Sequence, residues 1–186
     1  MALTGETVLL DASHSLVWGG NRIVARRWVL PDGLTVTNSQ AQTSFTQSGT
    51  HVAGLWVRDN EGNEDVDFCQ IKVFSRANPE PHMPHLFLSY APTEGIRPPS
   101  PVSVRLWFQG GKRGPISLDF DDGTRIEDCK PYAEVLHRFE QSGVHILTAQ
   151  CEAAGKPVTA KLKVIVNERT EAQSMQLRWG FSRRSR

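Results

Sequence analysis

The chain has 186 residues and a formal net charge of +1 at pH 7, so no global field draws it to nucleic acid or to an anionic membrane. Apolar residues make up 39% and charged residues 22%, a balance that suits packed cores and argues against wholesale disorder. No apolar run approaches the ~20 residues of a membrane span, and Met1-Ala2-Leu3-Thr4-Gly5-Glu6 shows neither the basic nor the long apolar region of a signal peptide.

Alternation bounded by turn residues predicts strands over 7–11, 21–30 (carrying Trp28), 43–45, 50–58 and 67–74. Ala12-Ser13-His14-Ser15 reads as a turn. The stretch Arg76-Ala77-Asn78-Pro79-Glu80-Pro81-His82-Met83-Pro84 then interrupts the pattern. Proline fixes φ and removes a donor, so residues 76–84 are expected to be a semi-rigid linker rather than a strand. Beyond it, strands are predicted at 86–90, 102–107, 116–120, 133–139, 144–152 and 158–166. The tail, 168–186, loses alternation and ends in the basic Arg183-Arg184-Ser185-Arg186; it is expected to be disordered. No stretch carries the 3.6-residue stripe of an amphipathic helix.

The halves repeat. Phe45-Thr46-Gln47-Ser48-Gly49-Thr50-His51-Val52 lines up with Phe139-Glu140-Gln141-Ser142-Gly143-Val144-His145-Ile146. Trp28-Val29-Leu30-Pro31-Asp32-Gly33 lines up with Leu118-Asp119-Phe120-Asp121-Asp122-Gly123. The offset is about 90 residues, the size of one small β-domain. Two domains follow, 1–75 and 85–167, joined by the Pro-rich linker.

Both copies resemble PKD (polycystic kidney disease) domains, which are small immunoglobulin-like β-sandwiches. Val8-Leu9-Leu10-Asp11-Ala12-Ser13-His14-Ser15 matches that family's opening. Asp119-Phe120-Asp121-Asp122-Gly123-Thr124 is close to its central turn, with His137-Arg138-Phe139 and Gly143-Val144-His145 following in order. Copy one has a degenerate centre, and copy two a poorly matched opening. The resemblance implies an all-β fold of two tandem immunoglobulin-like sandwiches. It also implies a non-catalytic spacer or binding module, extracellular or on the cell surface, with a protein or polysaccharide partner. Such modules often stand beside a catalytic domain in one parent chain, so an accessory of a secreted polysaccharide-degrading enzyme is the alternative.

Candidate sites are few. Asp119, Asp121 and Asp122 first read as a turn whose carboxylates cap backbone amides. A calcium site is the second reading, because clustered carboxylates suit a hard cation, and an acid–base pair is the weakest. The resemblance implies that His51, Ala53, Leu55 and Val57 face inward, which turns Trp56 outward beside Gly54, toward a domain contact, a partner surface or a carbohydrate. Trp28 reads as the inter-sheet core tryptophan. His51 and His145 read as partly buried, satisfied rings, and His82 with His85 lacks the further ligands of a metal site. Cys69, Cys129 and Cys151 form no CxxC pair and read as small buried residues, with a Cys129–Cys151 disulfide as the alternative in an exported domain. No nucleophile elbow, Walker loop, HExxH helix or dinucleotide turn is present.

Overall fold

The computed structural model describes residues 1–15, 17, 21–77 and 83–168. Every regular element among them is a strand. The first half supplies β1 (Ala2–Leu3), β2 (Thr7–Asp11), β3 (Ile23–Val29), β4 (Thr35–Val36), β5 (Gln40–Ser44), β6 (Gly49–Asp59) and β7 (Glu64–Phe74). The second supplies β8 (His85–Ala91), β9 (Pro101–Gln109), β10 (Ser117–Asp119), β11 (Arg125–Ile126), β12 (Glu134–Arg138), β13 (Gly143–Ala153) and β14 (Lys156–Val166). The longer strands fall where alternation places them. The two-residue strands β1, β4 and β11 were not legible, because so short an element has no period and exists only through the main chain of its neighbour.

Each half packs two layers around its own core. In the first, β2 and β5 face β3, β4, β6 and β7, enclosing Leu10, Trp28, Leu30, Ala41, Phe45, Ala53, Ile71 and Val73. In the second, β8, β9 and β12 face β10, β11, β13 and β14 around Leu86, Val104, Leu118, Phe120, Phe139 and Leu147. The architecture is all-β, in open sheets of immunoglobulin-like order.

Strand registers correspond between the two halves. Trp28 pairs with Leu55 and Val36, and Leu118 pairs with Ala149 and Ile126. Asp11 pairs with Gln40, and Arg105 with Glu134. The opening that sequence comparison missed in copy two is therefore Val102-Ser103-Val104-Arg105, with Val102 and Val104 in the places of Val8 and Leu10. Core volume is redistributed between copies. Trp28 clusters with Ala41 and Ala53, whereas Leu118 clusters with Val135 and Leu147 at the corresponding places. A large side chain opposite small ones keeps the interior close-packed.

The copies differ in several connections, one of them the loop after the central turn. Between β4 and β5 lie residues 37–39; between β11 and β12 lie residues 127–133. This insertion carries Cys129, which is buried, and Tyr132, which is 72% exposed. All three cysteines are free thiols; Cys129 is buried and Cys151 half-buried, but Cys69, expected to be buried, is exposed, and partial desolvation raises the pKa of each.

The halves join where β14 runs beside β6. Val158 pairs with Thr50 in parallel, making one nine-stranded sheet through both halves. Thr50 is fully buried, and its Oγ1 donates to the Pro84 carbonyl at 2.9 Å. Gln70 Nε2 donates to the Thr159 carbonyl at 3.4 Å, and Lys163 pairs with Asp65. Of the expected linker, 78–82 lies outside the described residues, as does 169–186 of the expected disordered tail. The linker's near end is tied by Arg76 N to Thr4 Oγ1 at 3.1 Å.

Gly49 makes this join possible. A Cβ there would stand 2.6 Å from the Pro157 carbonyl oxygen, whereas at its repeat partner Gly143 a Cβ would meet nothing within 4 Å. Both glycines have extended positive φ, 157° and 142°, so conformational strain is shared and only the clash differs. Gly49→Ala is expected to cost about 1–3 kcal/mol more than Gly143→Ala, measured by chemical denaturation. Equal costs would mean that the join yields without penalty.

Candidate functional site

The acidic turn between β10 and β11 is built by its own carboxylates. Asp119 Oδ1 accepts from the Asp121 amide at 2.8 Å, and Asp122 Oδ1 accepts from the Thr124 amide at 3.0 Å. Asp121 takes a left-handed conformation, φ 62°, which Asp tolerates better than most residues. Its Oδ2 reaches across to accept from the Ile146 amide at 2.9 Å, tying the turn to β13. Copy one keeps the minimal version: Asp32 Oδ1 accepts from the Leu34 amide at 3.0 Å, with Pro31 in the place of Asp121.

Copy two adds a further layer. Asp122 Oδ2 lies 2.6 Å from His137 Nε2, and the His137 ring stacks on Phe120 at 4.0 Å, with the Phe139 edge at 4.7 Å. Burial pushes the Asp122 carboxyl up, but hydrogen bonds from His137 and Thr124 outweigh it and hold it below the usual carboxylate range. Among the described residues, no three His, Cys, Asp or Glu side chains gather as a metal ion would require. Asp119 Oδ1, Asp121 Oδ2 and both oxygens of Asp122 are engaged by backbone amides and His137.

The Phe-x-Gln-Ser-Gly-x-His repeat is a structural device. Phe45 packs on His51 at 4.5 Å, and Phe139 on His145 at 4.4 Å. His51 Nε2 lies 3.3 Å from the Gln47 carbonyl, and His145 Nε2 lies 3.2 Å from the Gln141 carbonyl. A carbonyl only accepts, so Nε2 carries the proton in both. Burial lowers the His51 pKa. Trp28 is 5% exposed in the first core, where sequence reasoning put it.

Trp56 points away from the first core, as alternation requires, but it is not an open platform. A Cβ at Gly54 would fall 2.4 Å from the indole, so the ring lies over that glycine. The Arg27 guanidinium stacks on the ring at 4.7 Å, and Phe68 meets it edge-on at 6.2 Å. The indole lines a groove of about 310 Å³ between the halves, opposite Gln150, Thr159 and Lys161. Gln150 is the repeat partner of Trp56, so the two equivalent positions face one groove.

A second aromatic surface escaped sequence analysis. Phe87 on β8 pairs with Trp107 on β9, both on the outer face of the three-stranded sheet. Phe87 is 45% exposed, and Leu136 on β12 is 71% exposed. Tyr132 from the inserted loop completes the row, held by its amide to the Leu106 carbonyl at 2.8 Å and its hydroxyl to the Phe108 carbonyl at 3.3 Å. Polar groups adjoin it: Glu134 accepts from Ser103 and lies 3.5 Å from Arg105. The signal was present as Leu86-Phe87-Leu88 and Leu106-Trp107-Phe108, where an aromatic stands between two core residues.

The Asp122–His137 brace is expected to shape acid stability. The folded pKa of Asp122 is depressed, so its contribution is present above the usual carboxylate pKa of about 4 and is lost as pH falls through the folded value. Melting temperature followed from neutral pH to below about pH 4 should fall less steeply in Asp122→Asn than in the native chain. At neutral pH, His137→Ala should cost about 1–3 kcal/mol, because it strips a donor from a largely buried carboxylate. Identical acid profiles would show that the brace carries no linkage.

No protein-family model matches the chain, and no curated protein matches it. Among solved structures, the chain is similar to the PKD1 domain of the Vibrio cholerae metalloprotease PrtV, with 31% identity over 29% of this chain and 67% of that one and a TM-score of 0.27. The fibronectin(III)-like modules of Clostridium thermocellum CbhA are 12% identical over 89% of this chain and 88% of theirs, with a TM-score of 0.35. The titin domains z1z2, solved in complex with telethonin, are 10% identical over 91% of this chain and 93% of theirs, with a TM-score of 0.33. These similarities concern the fold alone; strand order and register, read from the chain itself, establish the immunoglobulin-like β-sandwich.

Proposed function

We propose that the chain is a non-catalytic spacer and binding module of two tandem PKD-like sandwiches, 1–75 and 85–167, in an extracellular or cell-surface protein. The observation that carries this reading is the continuous sheet across the join. Val158 pairs with Thr50, Gly49 seats against Pro157, and Thr50 is buried on Pro84. Two sandwiches joined by a linker alone would turn freely about it; this pair has a preferred angle. A spacer that holds its angle can present a partner surface at a set distance and orientation. The arrangement of the acidic turn supports the non-catalytic part, because its carboxylates hold the fold. No helix among the described residues is long and apolar enough to cross a membrane.

The partner surface that fits best is the Phe87–Trp107–Tyr132 row. Its aromatic faces with adjoining Arg105, Glu134 and Ser103 suit either a protein segment or a sugar ring, since both offer apolar faces edged by polar groups. The carbohydrate reading, an accessory to a secreted polysaccharide-degrading enzyme, draws on the same row rather than on Trp56, whose indole already has protein neighbours.

Two measurements test these readings. Small-angle scattering of the full chain at neutral pH should fit one docked arrangement of the halves; a broad distribution of separations would sink the fixed spacer. On an array of plant, bacterial and animal glycans, binding that is lost in Trp107→Ala and kept in Trp56→Ala would support the carbohydrate reading. Absence of binding to every glycan would remove it in favour of a protein partner.

A further inference from the structure

His85 opens β8 at the join itself. It is 8% exposed and pairs in register with Gln109, and its ring packs on Phe87 at 3.9 Å. The preceding residue, Pro84, supplies the carbonyl that Thr50 binds from the first half. His85 lines a cavity of about 320 Å³ between the halves, with Val52, Phe68 and Gln70 on one side and Ala160 and Lys161 on the other. Among the described residues, its Nδ1 is the one buried side-chain nitrogen or oxygen with no hydrogen-bond partner.

Among the described residues, the charged groups placed at this imidazole are both cations. Lys72 on β7 acts on it electrostatically, and Lys161 on β14 shares the cavity. Among the described residues, no carboxylate lines that cavity, and Asp65, an acidic group at the join, is engaged with Lys163. A neutral ring is tolerable in such a place. A protonated ring would be a third cation beside Lys72 and Lys161, with a second N–H and no acceptor for it among the described residues. Burial, with Lys72 adding to it, accordingly lowers the His85 pKa.

We propose that His85 is a pH-sensitive latch on the join: neutral, it lets the two halves stay docked, and protonated, it drives them apart. The inference rests on the fixed-spacer reading above, and it adds a condition under which the spacer loses its fixed angle. The sign follows from linkage. The docked-state pKa lies below the usual histidine value of about 6.5, so docking is at full strength above that pH and weakens as pH falls beneath it. The closed-to-open ratio drops by up to about tenfold for each pH unit until the docked-state pKa is reached. Opening would uncover Thr50, Val52 and the groove that holds Trp56.

Scattering of the full chain at about pH 7.5 and about pH 5.0 tests the latch, because the two values bracket the usual histidine pKa. The native chain should be compact at the higher pH and show a larger radius of gyration at the lower. His85→Phe, which keeps the packing on Phe87 but cannot be charged, should be compact at both. His85→Gln, also uncharged, gives the same comparison if the phenylalanine variant does not fold. His14, His51, His82, His137 and His145 remain in both variants, so opening caused by any of them would persist. A native chain that stays compact at about pH 5.0 would overturn the latch and leave the spacer standing. Variants that open as far as the native chain would also overturn it. A native chain already extended at about pH 7.5 would instead remove the spacer and the latch together.

Discussion

The arrangement of the molecule depends on how closely β14 approaches β6. Two sandwiches with separate cores need not touch, and the contact here is permitted by what is missing from one strand. Gly49 has no side chain to meet Pro157, and Gly54 leaves room for the Trp56 ring. Thr50 then exchanges water for the Pro84 carbonyl. The repeat partner of Thr50 is Val144, which is 50% exposed. One position in one fold is thus a buried contact in the first half and open surface in the second. The difference lies in the neighbour each strand meets.

Divergence between the copies follows the physical role of each part. Core positions exchange bulk across the layers: Trp28 with Ala41 and Ala53 stands against Leu118 with Val135 and Leu147. The central turn keeps its Asp–amide bond in both copies, and copy two braces it further with Asp121, Asp122 and His137. The Phe–His pair below it keeps nearly the same geometry in both, as a motif fixed by packing should. Change is concentrated outside these parts, in the four extra residues before β12 and on the outer face that Tyr132 helps to form.

Much of this was legible in the amino-acid sequence. Alternation located the long strands, and the Phe-Gln-Ser-Gly-His echo exposed the repeat, because packing of Phe45 on His51 demands that spacing. Trp28 could be assigned to the core from its place beside the turn. The turn chemistry of the acidic cluster was legible in Asp-Asp-Gly-Thr, whereas its bond to His137 joins residues fifteen apart and had no local signature. The groove around Trp56 and the row of Phe87, Trp107 and Tyr132 could not be assembled in advance. Each depends on which strand lies next to which, and in the second case on where an inserted loop folds back. The opening of copy two was hidden for another reason: Arg105 replaces Asp11, so the charged landmark is lost while Val102 and Val104 preserve the pattern.

The central claim is that the two sandwiches act as one body because a sheet continues between them. Residual dipolar couplings of backbone amides, measured in a weakly aligned sample at neutral pH and fitted separately for each half, address it most directly. The account requires the two alignment tensors to agree in magnitude and orientation when the halves are placed with Val158 beside Thr50. Tensors of clearly different magnitude would mean that the halves reorient independently, and would contradict it.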